Sequence, residues 1–267
     1  MHQEMLAFVV FGLCLGGSCV YGQTAGSNGE KVEGAVEPSV RPATYSKGSG
    51  DSGVFGFGIK TSLLGVGSEI AVRTTHRTNL RAGFNVLGYS RTFGKDGTDY
   101  HAHLDFRTME AHYDIFPWAR GFHVSPGLLA YLGNPITANA LIAGNKSFTL
   151  GGHAYFSDPT NPTTANGHIN FYQVSPTATV GWGNLVHRDR KRFTVSFEVG
   201  AAFQGSPRLT LSFGGNVCDA PGVNCRNAAA DPNVQSNVVS EQGKINKSLA
   251  PFKAYPIISL GFGYKVH

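Results

Sequence analysis

Residues 252–267 read FKAYPIISLGFGYKVH, and the period of this stretch decides the fold. Phe252, Ala254, Ile258, Leu260, Phe262, Tyr264 and Val266 share one parity, and small or polar residues fall between most of them. Successive side chains of a strand point to opposite faces, so the run describes a strand with one apolar and one mixed face. A helix would bring apolar residues back at three and four instead.

Seven segments upstream repeat the pattern. In 54–63 the apolar set is Phe55, Phe57, Ile59 and Leu63, with Lys60 on the other face. In 66–75 Val66, Ile70 and Val72 oppose Glu69 and Arg73, and in 79–92 Leu80, Ala82, Phe84 and Val86 oppose Arg81 and Asn85. Segments 121–133 and 169–184 alternate likewise, and 192–213 holds one phase from Phe193 to Phe213. The segment 100–116 changes phase, from Tyr100, Ala102, Leu104 and Phe106 to Met109, Ala111, Tyr113 and Ile115. A slip of one residue flips every side chain unless a bulge absorbs it. A bulge is therefore expected near Arg107-Thr108, bringing His103, Asp105, Glu110, His112 and Asp114 to one face.

The connections differ in length. Short ones are THRT (75–78), PWARG (117–121) and HRDRKR (187–192); longer ones run over about 94–99, 134–168 and 214–251. Short turns at one end and long loops at the other suit a membrane barrel. The expected fold is all-β: a transmembrane antiparallel up-and-down β-barrel of about eight strands, with ten as the alternative. Leu64-Gly65 and Gly205-Ser206-Pro207 are the two places where a turn would alter the count. Residues 231–249 lack alternation and are a candidate short helix in the last long loop.

Composition agrees. The 267 residues include 35 Gly, 11% aromatic and only 15% charged residues, too apolar and too weakly charged for a disordered chain. No apolar run after the first 22 residues approaches the ~20 needed for a membrane helix. The formal charge is +5 and the pI about 9.0. The cations are scattered, and the one dense run, His187 to Arg192, reads as a solvated turn, so nucleic acid is not an expected partner.

Residues 1–22, MHQEMLAFVVFGLCLGGSCVYG, have the short apolar core and small-residue end of a signal peptide. Residues 23–52 read as a flexible periplasmic lead and 53–267 as the barrel. Cys14 and Cys19 leave with the signal, and Gly16-Gly17-Ser18 before Cys19 lacks the Leu of a lipidation site. Cys218 and Cys225 remain in CDAPGVNC. A lone pair closing a Pro/Gly loop in an exported chain reads as a disulfide, since a metal site would need more ligands.

The motifs GIKTSLLGVGSEIA (58–71), NLRAGFN (79–85) and KAYPIISLGFGYK (253–265) resemble small bacterial outer-membrane β-barrel proteins of the OmpA/OmpW-like kind. The resemblance covers 53–267 and implies outer-membrane lipids as surroundings and a Gram-negative outer membrane as location. It also implies that Leu260, Phe262, Tyr264 and Val266 form a C-terminal signal for the barrel-assembly machinery. In this sequence Val266 stands in the place of the usual terminal aromatic and His267 follows. No periplasmic domain is expected after the last strand.

Most such proteins have no assigned chemistry, and the inward face suggests a reason. It collects Lys60, Glu69, Arg73, Arg81, His103, Asp105, Arg107, Glu110, His112, Asp114, His123 and Glu198. About eight strands leave a lumen that side chains just fill, so mixed charges there are expected to pair as a plug. The leading expectation is a non-catalytic barrel, followed by a passive pore for small polar solutes. An outside reading is a lipid A esterase, with Ser125 activated by His123 two residues before it and Glu110 orienting the imidazole. His101, His103, His112 and His123 lack metal-site spacing, and the Gly-x-Gly pairs 56–58 and 261–263 lie inside strands, so no metal or cofactor is expected. Tyr89, Phe93, Tyr100, Phe116, Trp118 and Trp182 near segment ends are candidates for interfacial girdles. No motif identifies an extracellular ligand.

Overall fold

The computed structural model describes residues 55–95, 98–118, 121–133, 136–188 and 192–266. The expected signal peptide with Cys14 and Cys19, the expected 23–52 lead and His267 lie outside the described residues, as do the central residues of the HRDRKR turn. The strands in chain order are β1 (Phe55–Ser62), β2 (Gly65–Thr75), β3 (Thr78–Lys95), β4 (Thr98–Ile115), β5 (Phe122–Tyr131), β6 (Ile136–Ile142), β7 (Ser147–Leu150) and β8 (His153–Ser157). They continue with β9 (Thr164–Asn170), β10 (Val174–Trp182), β11 (Phe193–Ala202), β12 (Arg208–Gly214), β13 (Asn216–Cys218), β14 (Arg226–Asn227) and β15 (Tyr255–Val266). One helix, α1 (Pro232–Leu249), precedes β15.

Eight strands close a ring in the order β1-β2-β3-β4-β5-β10-β11-β15, every neighbour antiparallel. The seam runs from Phe55↔Val266 to Ser62↔Ser259. Along β1 and β2 the inward positions, Gly56, Gly58, Lys60, Gly67, Glu69 and Ala71, are small or polar. Outward positions form an apolar belt that includes Ile59, Ile70, Leu80, Met109, Val195 and Phe262, all exposed. An exposed band of this kind on every strand of a closed ring matches the outer surface of a membrane barrel.

Both doubtful turns are real, yet the ring keeps eight strands. Leu63-Leu64 separates β1 from β2. Gly205, with φ of 69°, and Pro207 end the run that began at Phe193. β12 then leaves the ring and pairs with β9.

The expected bulge is absent. β3 and β4 pair residue for residue from Thr78↔Ile115 to Lys95↔Thr98, with no shift at Arg107-Thr108. The parity is constant and the surroundings change. Beside the ring, Met109, Ala111, Tyr113 and Ile115 face out and Thr108, Glu110, His112 and Asp114 face in. Beyond it, β4 pairs with β6 and the hairpin joins a five-stranded sheet, β3-β4-β6-β9-β12. There Asp99, His101, His103, Asp105 and Arg107 occupy the outer face, while Phe106 is buried and Tyr100, Ala102 and Leu104 are half-buried.

A second sheet, β7-β8-β13-β14, and α1 complete this upper region. Asp231 caps α1 by accepting from Asn233 N and Val234 N, and Pro232 opens the first turn without losing a needed donor. Val234, Val238, Ile245 and Leu249 form its buried stripe. The first two join Phe148, Tyr155, Phe213 and Val217; the last two join Ile169 and Leu209.

Candidate functional site: the interior of the barrel

The interior is filled in three layers. The middle layer is ionic and is built by inward positions of five neighbouring strands and β11. Lys60 on β1 pairs with Glu110 and lies 3.9 Å from Glu69. Arg81 on β3 reaches Glu69 at 3.0 Å, Asp114 at 3.0 Å and also Glu198. The arginine thus ties β2, β4 and β11 together across the lumen. Its planar fork suits such multiple pairing, which a lysine would not reproduce. His112 Nε2 lies 3.7 Å from Glu110, and Asn85 Nδ2 donates to Thr108 at 3.2 Å. Every one of these side chains is buried. Four carboxylates here, Glu69, Glu110, Asp114 and Glu198, face Lys60, Arg81 and two histidines, His112 and His123.

The layer toward the long loops is apolar. Leu64, Phe106, Leu129, Tyr131, Ala202, Tyr255 and Ile257 pack as one cluster, joined by Leu63, Leu87, Leu104 and Phe171. Phe106 stands at 5.8 Å from Tyr255 and 6.1 Å from Tyr131, ring centre to ring centre. The buried hydroxyls are answered: Tyr131 donates to Gln204 at 2.8 Å and Tyr255 to the Leu63 carbonyl at 2.8 Å.

The layer toward the short turns is made by the β10–β11 connection folding inward. Leu185 and Val186 are buried with Ala71. Leu185 reaches Gly56, Gly58 and Gly263; a β-carbon would collide with it at Gly56 and Gly263 and crowd it at Gly58. Phe116 is buried nearby under the Arg188 guanidinium, 5.0 Å from its ring centre.

His123 and Ser125 do not form a dyad. Ser125 donates to Asp114 at 2.7 Å. His123 Nδ1 donates toward the carbonyls of Gly121 and Gly183, each at 3.1 Å, and Nε2 faces Glu198 at 3.1 Å. The nitrogen that would take a proton from a serine is therefore committed to a carboxylate. Glu110, the expected orienter, contacts Lys60 rather than His123. The cross-lumen neighbour of His123 was invisible in sequence because β5 and β11 are separated in the ring by β10.

Of the residues expected in the lumen, Lys60, Glu69, Arg81, Glu110, His112, Asp114 and Glu198 come together. His103, Asp105 and Arg107 do not. Arg107 is 61% exposed and pairs with Asp105 at 2.9 Å on the outer face. His103 and His101 share hydrogen bonds with Ser90 and Thr92 on that face. The reason is the missing bulge: these residues have the belt's parity, opposite to that of Glu110. Arg73 keeps the inward parity but sits at the short-turn mouth, where it donates to the His187 carbonyl at 2.8 Å. Sequence reading missed Leu185 and Val186 and assigned Phe116 to an interfacial girdle, whereas it is buried inside. The available signal was the inward glycines of β1 and β15, which leave room for an incoming side chain.

On the outside, Leu260, Phe262, Tyr264 and Val266 share the outward face of β15, with the Tyr264 ring against Phe57 and Phe193. Trp118, Phe122 and Trp182 form a ring cluster at the short-turn end. Phe116, by contrast, points inward, and Phe93 stacks on Tyr100 beyond the ring.

Cys218 and Cys225 are bonded, closing the loop between β13 and β14. Beside it Arg226 pairs with Asp219 at 2.7 Å and Asp231 at 3.2 Å, and these partners raise its pKa further. Asp158 accepts from Asn216 Nδ2, Thr160 N and Thr160 Oγ1, which hold its carboxyl down at about 2.

No protein-family model and no curated protein matches the chain. Among solved structures it is similar to Acinetobacter baumannii CarO, at 18% identity and a TM-score of 0.47, over 78% of this chain and 96% of that one. It is likewise similar to Acinetobacter baumannii CarO2, at 18% identity and a TM-score of 0.49, over 80% and 98% of the two chains.

Proposed function

We propose that this chain is a non-catalytic β-barrel of a Gram-negative outer membrane that passes no steady current. Outer-membrane lipids surround its belt, the upper sheets and α1 face outward, and the short turns face the periplasm. Leu260, Phe262, Tyr264 and Val266 present the strand that the barrel-assembly machinery receives. The filled interior carries this reading: among the described residues, buried side chains occupy it in an ionic layer, with an aromatic layer on one side and Leu185 with Val186 on the other. A non-catalytic role is supported by the separate commitments of His123 and Ser125. Planar-bilayer recording of the purified protein at neutral pH tests the proposal. The expected result is no stable unitary conductance; regular open channels would replace it with a pore for small polar solutes. Ser125→Ala is expected to leave the acyl pattern of lipid A unchanged, and loss of a specific acyl release would restore the esterase reading.

A further inference from the structure

The five-stranded upper sheet has two edges, and the chain treats them differently. At β12 the helix answers the backbone. Leu209 N donates to Asn246 Oδ1 at 2.7 Å, the Leu209 carbonyl accepts from Asn246 Nδ2 at 3.1 Å, and Leu211 N donates to Gln242 Oε1 at 3.0 Å. Two side-chain amides stand where a further strand would lie.

At the other edge, β2 leaves β3 after Val66↔Val86, and β3 continues to Lys95 paired with β4 alone. The Arg77 carbonyl accepts from Phe116 N across this hairpin. In an antiparallel pair the bonded positions alternate, so odd residues of β3 turn their N–H and C=O toward β4 and even residues turn theirs away. Among the described residues, the backbone groups of Gly88, Ser90, Thr92 and Gly94 on that open side meet no strand and no side chain, and all four residues are exposed. The Ser90 and Thr92 hydroxyls are tied back to His103 and His101, so they do not cover the row. Unpaired edges are usually blunted, as β12 is, because they template further pairing.

We propose that the Gly88–Gly94 edge takes an extended segment of another polypeptide as an added antiparallel strand, with an acidic side chain set against the exposed Arg91. Donors and acceptors repeating at about 6.8 Å, two residues of strand, are matched by an extended backbone and not by a glycan or a lipid headgroup. A second copy fits less well. In the membrane proposed above both β3 strands run outward, so two copies would meet parallel and bring Arg91 against Arg91, which like charge disfavours. That last point alone rests on the membrane reading.

The test uses the full-length protein in detergent and a fluorescent ten-residue peptide of alternating Thr and Glu. A second peptide of the same sequence carries N-methyl groups on alternate amides. Thr92→Pro removes one outward N–H while leaving the β4 ladder intact, since proline is tolerated where the N–H faces out of a sheet. The expected result is saturable binding of the first peptide, weakened about tenfold or more by N-methylation and by Thr92→Pro, the scale of one or two lost hydrogen bonds. Arg91→Glu should weaken it as well, and heat-modifiable gel migration should show that both variants keep the barrel. Equal binding of the two peptides, or no binding by the wild-type protein, would overturn the proposal. Sedimentation as a dimer that Thr92→Pro dissociates would overturn it in favour of self-pairing. Conductance measurements fail or succeed independently of either outcome.

Discussion

The two halves of β4 use the same pleat for opposite purposes. From Met109 to Ile115 the odd residues are apolar and face out, while the even residues face in, Glu110 meeting Lys60 and His112, and Asp114 meeting Arg81. From Asp99 to Arg107 the odd residues are polar and still face out, while the even residues, Tyr100 to Phe106, turn apolar and face in. The backbone register does not change between them. What changes is the medium outside, from the belt to water, and with it the kind of interior the strand can afford. The same inversion recurs after β11. Odd residues from Phe193 to Val199 are exposed on the belt, whereas Leu209 and Phe213 of the same parity are buried beneath α1 and the small sheet.

Breaking the lower half at its centre should have the largest effect. Arg81→Met leaves Glu69, Asp114 and Glu198 buried without their shared cation, and should cost about 3–5 kcal/mol. The readout is the urea midpoint of the heat-modifiable gel shift; an unchanged midpoint would show that the carboxylates are paired adequately without Arg81. A matched pair on one face of β4 comes next. Ala111→Arg should destabilise by about 2–4 kcal/mol in bilayers, whereas His103→Arg on the same parity should stay within ~0.5 kcal/mol. Equal penalties would mean that the polarity inversion at Arg107 does not mark the edge of the belt.

Changes confined to the upper half should leave the barrel intact. Cys218→Ser with Cys225→Ser opens a short loop and should loosen β13 and β14 by about 2 kcal/mol in the loop-closure estimate. Faster amide exchange there, with an unaltered urea midpoint for the barrel, is the expected pattern; mass spectrometry should find both native thiols bonded. The smallest effect concerns Asp158. Because its folded pKa lies at about 2, its contribution is complete above the ordinary carboxylate value near ~4 and is lost as pH falls through about 2. The Thr160 amide resonance should titrate with that low midpoint. Asp158→Asn should remove the titration and weaken the turn at neutral pH, and a midpoint near ~4 would show that the Thr160 and Asn216 hydrogen bonds are not held in solution.

Much of this comparison was legible in the residues. The period of two located the eight ring strands, because alternation on a strand needs no knowledge of its partners. The stretch 231–249 broke that period and is helical. The phase change at Phe106–Met109 was equally visible, but two physical causes produce it: an inserted residue that flips the faces, or an unbroken strand crossing from one medium to another. Sequence spacing is blind to that choice, and the wrong alternative carried His103, Asp105 and Arg107 into the lumen with it.

By itself, then, the chain's sequence determined which residues share a face, where strands must end at Gly and Pro, and that Cys218 and Cys225 lie close enough along the chain to pair. Tertiary structure alone decided what each face meets. The closing of the ring brought Glu198 of β11 to Arg81 of β3 and to His123 of β5. The inward fold of 183–188 placed Leu185 against Gly56, Gly58 and Gly263. The departure of β12 gave α1 an edge to cover, and the end of the β2 pairing at Val66↔Val86 left β3 with one that no described residue covers. These contacts join residues far apart along the chain, and their partners are set by strand order and curvature, quantities that a local period of two does not contain.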